Sequence, residues 1–168
     1  MVSKDAPPPP SQETINDLVN TIFTAKTSAA SIDACYGLCE IILSSVGVIG
    51  LTNYGVIAEV KKAAADKKSG LRRESSQNLL GAIFERFLPR QPASEVVLLL
   101  QDGGLVGCAL DALADKGAVV RDAAQYGLDA TFGILSPEAL ITGLLPALTE
   151  YLSRKTGKWQ GTVGAYKL

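Results

Sequence analysis

Val56-Ile57-Ala58-Glu59-Val60-Lys61-Lys62-Ala63-Ala64-Ala65-Asp66-Lys67-Lys68-Ser69-Gly70-Leu71-Arg72 is the stretch from which the fold of this chain can be read. Its apolar positions Val56, Ile57, Val60 and Ala64 recur 49 residues later as Leu105, Val106, Ala109 and Leu113. Asp66 and Arg72 recur in the same step as Asp115 and Arg121. A further step of 39 residues brings Leu144, Leu145, Leu148 and Leu152, with Arg154 and Gln160 in the polar places. Spacings of three and four residues put each apolar set on one face of a helix. A single such helix cannot hide that face, so repeated copies must stack and share one hydrophobic seam.

A period of roughly 40 to 47 residues is that of two-helix repeats of the HEAT and armadillo kind. The expected fold is therefore all-α, a right-handed α-solenoid of about four helical hairpins, the first atypical and capping. Residues 1–10, with Pro7 to Pro10, read as a disordered arm, because four prolines cannot enter a helix interior. Residues 11–168 read as the repeat domain. Its helices are expected over 11–25 and 31–45, 51–65 and 70–87, 93–114 and 118–135, then 137–153 and from 157 onward. Gly103 and Gly104 are expected to interrupt the fifth. Leu71, Ser75, Leu79, Ala82, Ile83 and Phe87 share one side of a helical wheel, as do Val120, Ala124, Leu128, Thr131 and Phe132. By register Trp159 falls on Leu71 and Val120 and is assigned to the core. The only strand candidate, 96–100, has no alternating partner. The last helix reaches Leu168 uncapped with an apolar face open, so a longer parent protein is expected.

With 16 basic and 17 acidic residues the net charge is -1, which argues against a general nucleic-acid coat but leaves room for a local basic patch. The absence of histidine removes the usual acid–base group and the histidine-dependent triads. Cys35, Cys39 and Cys108 read as reduced thiols packed in helices, with no further ligand nearby to build a metal site on Cys35 and Cys39. No phosphate loop is present, since Gly157-Lys158 is followed by Trp159 and lacks the earlier glycine. No catalytic residue, cofactor or metal is expected in the chain. Neither a signal peptide nor an apolar run of membrane-spanning length occurs in the sequence, and a cytoplasmic, monomeric protein is expected.

Asp66 to Arg72 and Asp115 to Arg121 are both six apart and straddle the turn inside a hairpin. Stacked repeats would set these pairs side by side as a ladder, whose expected role is registration of repeats rather than ligand binding. The same turn crowds Lys61, Lys62, Lys67, Lys68, Arg72 and Arg73, and the matching turn of the fourth hairpin carries Arg154, Lys155 and Lys158. These nine are the candidates for phosphate contact, each neutralised phosphate releasing a counterion.

The run 61–74, the run Gly157-Lys158-Trp159-Gln160-Gly161-Thr162-Val163-Gly164-Ala165-Tyr166 and Leu144-Leu145-Pro146-Ala147-Leu148 together resemble the N-terminal HEAT region of fungal translation elongation factor 3 and its ABC-ATPase relatives. The resemblance covers most of the chain after Ser11. It implies a ribosome-docking module of a cytosolic protein that helps deacylated tRNA leave the ribosomal exit site. It also implies ATP and Mg bound by two downstream cassettes, and contact with ribosomal RNA, ribosomal proteins and elongation factor 1A through the parent. Two rival readings are a protein-only scaffold and the paralogue acting in termination and recycling.

Overall fold

The computed structural model describes residues 7–101, 104–154, 159, 162, 163 and 166, leaving aside the side chains of 98 and 101. Helices α1 (Gln12–Thr24) and α2 (Ser28–Ser45) form the first hairpin. The second is built from α3 (Val48–Asn53), α4 (Val56–Ala64) and α5 (Gly70–Arg86), and the third from α6 (Ala93–Gln101), α7 (Leu105–Ala112) and α8 (Ala118–Phe132). After them come the short α9 (Pro137–Ala139), a π-helical turn over Leu140–Leu144, and α10 (Leu145–Ser153). No strand occurs among the described residues, and 96–100 is helical. Helices α2, α5 and α8 pack in succession as one layer, and α1, α4, α7 and α10 make the other. The fold is an all-α HEAT-repeat solenoid. No helix is long and apolar enough to cross a membrane among the described residues.

Local chemistry fixes the helix starts. Ser11 Oγ accepts the N–H of Thr14, Thr27 Oγ1 that of Ala30, Ser69 Oγ that of Arg72 and Ser136 Oγ that of Ala139. Each satisfies one orphan donor of a first turn, a contribution of about 1 kcal/mol. The outer helices are less regular than the sequence suggests. The helix expected over 51–65 divides at Gly55, with φ +74, whereas the break of the next at Gly104, with φ +60, is the expected one. The two glycines are 49 residues apart and each immediately precedes the second segment, so the break is itself part of the repeat. The corresponding helix of the fourth hairpin is widened to a π turn just ahead of Pro146, which has no N–H to return to the preceding turn.

The seam runs through Ile15, Ile22, Cys35, Leu38, Ile42, Val60, Leu80, Ile83, Phe84, Leu100, Leu105 and Leu128. The broadest helix–helix joint is α5 on α8. There Gly81 and Gly127 meet: a methyl at Gly127 would lie 3.2 Å from Gly81 Cα. The proline arm is tied where it joins α1, since Tyr54 donates its hydroxyl to the Pro10 carbonyl at 2.8 Å. The first six residues of the expected arm lie outside the described residues.

Burial pushes the Cys35 thiol up to about 12, against a weaker opposing hydrogen bond with Ser31, and raises Cys39 and Cys108 as well. Only the thiolate reacts with disulfide reagents. In the native protein at pH 7.5, Cys35 and Cys39 are therefore expected to react with such a reagent only on unfolding, with the half-buried Cys108 reacting first. Fast reaction of Cys35 or Cys39 before unfolding would contradict the packing.

Candidate functional site: the basic rim and the groove behind it

After α4 ends, Asp66 closes the turn. Its Oδ1 accepts the N–H groups of Lys68 and Ser69 at 2.8 and 2.9 Å. These bonds, from Ser69 first, hold the Asp66 carboxyl below its usual range, with the Arg72 and Arg73 charges helping and burial opposing. Asp115 does the same after α7, its Oδ1 accepting the Gly117 N–H at 2.8 Å. Four residues beyond each helix cap stands an arginine that reaches back to the aspartate's own carbonyl. Arg73 Nη1 donates to the Asp66 carbonyl at 2.8 Å, and Arg121 Nη1 to the Asp115 carbonyl at 2.7 Å. The second turn is one residue shorter, so Arg121 corresponds to Arg73 and not to Arg72.

That single residue corrects the expected ladder. The rung between repeats is Arg73 on Asp115, with Nε to Oδ2 at 2.6 Å and Nη2 to Oδ1 at 3.2 Å. The pair is nearly buried, with side chains 9% and 13% exposed, and the bonded carboxylate raises the guanidinium pKa. Arg72 forms the expected pair across its own turn, its Nε 3.4 Å from Asp66 Oδ2, and its guanidinium reaches the first hairpin, 5.4 Å from the Phe23 ring centroid. Arg121 bonds the backbone of Asp115 rather than forming the expected carboxylate pair. The same slip moves Leu71 out of the core: it is 39% exposed, like its true counterpart Val119, whereas Val120 is buried. Trp159 is likewise a correction, at 71% exposed.

The expected basic turn thus divides. Arg73 is spent on the inter-repeat joint and Arg72 on Asp66 and Phe23. Lys61, Lys62, Lys67 and Lys68 are exposed, and among the described residues only Lys62 of the four has an ion pair, with Glu59 at 3.0 Å. Lys116 extends the row onto the next repeat. The signal for it was present in the sequence, because Asp66-Lys67 recurs as Asp115-Lys116. In the fourth hairpin Arg154 pairs with Glu150 at 2.9 Å, while Lys155, Lys158 and Gln160 lie outside the described residues.

Behind the lysines lies a cavity of about 500 Å³ between the second and third repeats. Lys61, Lys67 and Lys116 stand at its edge, the Arg73–Asp115 pair and Gln77 at its wall, with Cys108 and small aliphatic side chains between. Gln77 is 1% exposed. Its Nε2 donates to Ser76 Oγ at 3.2 Å, and its Oε1 has no partner. An unpaired buried carbonyl costs about 1–3 kcal/mol. No group of three or more potential metal ligands occurs among the described residues.

A family profile described as the EF3 N-terminal HEAT repeat matches residues 31–168. The chain belongs to that family. Among similar proteins of this kind, the mRNA export factor elf1 of Schizosaccharomyces pombe is 27% identical over 157 residues, 94% of this chain and 14% of its own length. The [NU+] prion formation protein 1 of Saccharomyces cerevisiae is 28% identical over 141 residues, 80% of this chain and 11% of its own. The chain therefore spans about one-seventh or less of the curated relatives it matches. No solved structure matches. The family carries the HEAT module and the elongation factor 3-like character of the chain, and the basic rim is what this member displays on that scaffold.

Proposed function

We propose that this HEAT module docks its parent protein on ribosomal RNA, through the rim of turns that carries Lys61, Lys62, Lys67, Lys68 and Lys116. The observation that carries the reading is local: a row of exposed ammonium groups on a chain whose net charge is only -1. Exposed lysines that neutralise phosphates release counterions, and that term steers a protein to RNA without reading sequence. Arg154, Lys155 and Lys158 would extend the contact at the next turn. Family membership supports an elongation factor 3-like parent, cytoplasmic and monomeric, whose downstream cassettes use ATP and Mg to promote exit-site tRNA release, with elongation factor 1A as a further partner. The name of one relative, an mRNA export factor, also belongs to a protein that handles RNA.

Reversing Lys62, Lys67 and Lys68 to glutamate leaves the Arg73–Asp115 joint intact and should weaken co-sedimentation with ribosomes. The slope of log affinity against log salt should fall by about 0.7 for each lost contact. Unchanged binding across the salt series would remove the rim from the interface. Ribonuclease-resistant capture of the same partners would favour the protein-only scaffold.

A further inference from the structure

We propose that the outward face of the α2–α5–α8 layer is a second docking surface, which takes an extended, arginine-rich segment of a partner protein between Tyr36 and Tyr126. The lysine rim plays no part in it, so it stands or falls independently of the RNA reading.

The surface emerges on counting along the inner helices from their caps. Nine residues beyond Thr27, Ser69 and Gly117 stand Tyr36, Asn78 and Tyr126. Three neighbouring helices therefore carry one row, tyrosine–asparagine–tyrosine, with α5 in the middle. A methyl at Gly81, one turn beyond Asn78, would lie 3.9 Å from Tyr126 Cδ1, so that ring leans from α8 over α5. From α2, Tyr36 leans over the same helix and donates its hydroxyl to the Glu85 carboxylate. The Glu85 bond first, and then burial, raise the Tyr36 phenol pKa, and Tyr126 adds to it, so the two phenols share one neighbourhood. Tyr126 is 60% exposed, a large ring left in water.

The charge of this face is opposite to that of the rim. Glu74 and Glu85 on α5, Asp122 and Asp129 on α8 and Asp33 on α2 surround the row. Among the described residues none of the five is in an ion pair, while Arg86 and Arg90 both go to Glu40. Such a face repels a polyanion. No group of three potential metal ligands occurs among the described residues, so a bare cation has no cage there. The complementary ligand is a cationic chain. Tyr36 already shows the mode, with the Arg86 guanidinium 4.7 Å from its ring centroid. Tyr126 has no such cation among the described residues. An incoming arginine would stack on Tyr126 and reach Asp122 or Asp129, one turn to either side on α8, with the planar fork that lysine lacks.

Asn78 decides the conformation of that chain. It is half-buried, and its amide has no hydrogen bond among the described residues. An amide offers both donor and acceptor, the complement of a peptide group. A helix bonds its own peptide groups internally, whereas an extended segment presents them free.

The test is fluorescence anisotropy of the full chain with two labelled octapeptides, one alternating arginine with glycine and the other lysine with glycine. The arginine peptide should bind about threefold tighter or more, the difference between a stacking fork and a point charge. Tyr126→Ala should weaken the arginine peptide about fivefold, and Tyr126→Phe should keep its affinity. Asp122→Asn with Asp129→Asn should weaken both peptides and flatten their salt dependence. Asn78→Ala should weaken both without changing the salt slope. Tyr126, Asp122 and Asp129 are exposed, so their variants keep the fold, and the comparison of arginine with lysine needs no variant. Equal binding of the two peptides, or an arginine peptide held as tightly by Tyr126→Ala, means general attraction to acidic protein and overturns the proposal. Failure to bind either peptide overturns it too, and leaves the RNA reading of the rim untouched.

Discussion

Asp115→Ala should cost about 3–5 kcal/mol of stability, because it strands the Arg73 guanidinium in a nearly dry joint. Arg73 is itself buried, and two of its three side-chain hydrogen bonds among the described residues end on the Asp115 carboxylate. The third goes to the Asp66 carbonyl and cannot neutralise the charge. Losing the carboxylate also frees the Gly117 N–H. Arg73→Met in the same background should recover most of the loss, since replacing a buried pair by apolar groups of similar volume is often close to neutral. Asp115→Asn should fall between, keeping an acceptor for the turn but no charge. Urea unfolding of the four proteins measures this directly. A loss below about 1 kcal/mol in Asp115→Ala would mean that the rung is as weakly coupled as a surface pair.

The second large effect is expected at a residue with no side chain. Gly127→Val should destabilise the fold by about 1–3 kcal/mol or more, by forcing α5 and α8 apart where Gly127 faces the Gly81 backbone. A Cβ there would sit 3.2 Å from one backbone atom of Gly81 and 3.5 Å from another, and backbone cannot swing aside as a side-chain end can. Gly37 is the control. It also lies within a helix, but a Cβ there meets nothing within 4 Å. Gly37→Ala should therefore stabilise by about 0.5–1 kcal/mol through helix propensity alone. Thermal melts that moved the same way for both substitutions would show that the two helices do not meet so closely.

The architecture was legible because its signal is redundant: apolar spacing recurs in three copies and several helix caps are local serine or threonine motifs. Ser11, Ser69 and Ser136 can be read with no knowledge of the rest of the chain. The site was less legible, and the reason is a turn length. A step of 49 residues holds for Gly55 and Gly104 in the outer helices but becomes 48 from Ser69 to Gly117 at the inner caps. Sliding whole repeats past each other therefore put Leu71 on Val120 and matched Arg121 to Arg72, whose own pair with Asp66 is the expected one. Counting from the caps would have chosen Arg73. The break at Gly55 had a weak signal in the recurrence at Gly104, and the burial of Gln77 had none, since a glutamine on a helix is hidden only by neighbours distant in the chain. The exposure of Trp159 also depended on what lies over it, which register cannot tell.

Arg73 and Gly81 are eight residues apart on α5, about 12 Å along its axis. One grips Asp115 and the other Gly127, so the third repeat is fastened to the second at two separated points. One contact would be a pivot; two define an angle. The pitch of the superhelix at this step is thus set by a charge at one end of the joint and by the thickness of bare backbone further along. Together they make the solenoid a ruler of fixed gauge for whatever is laid across its charged edge.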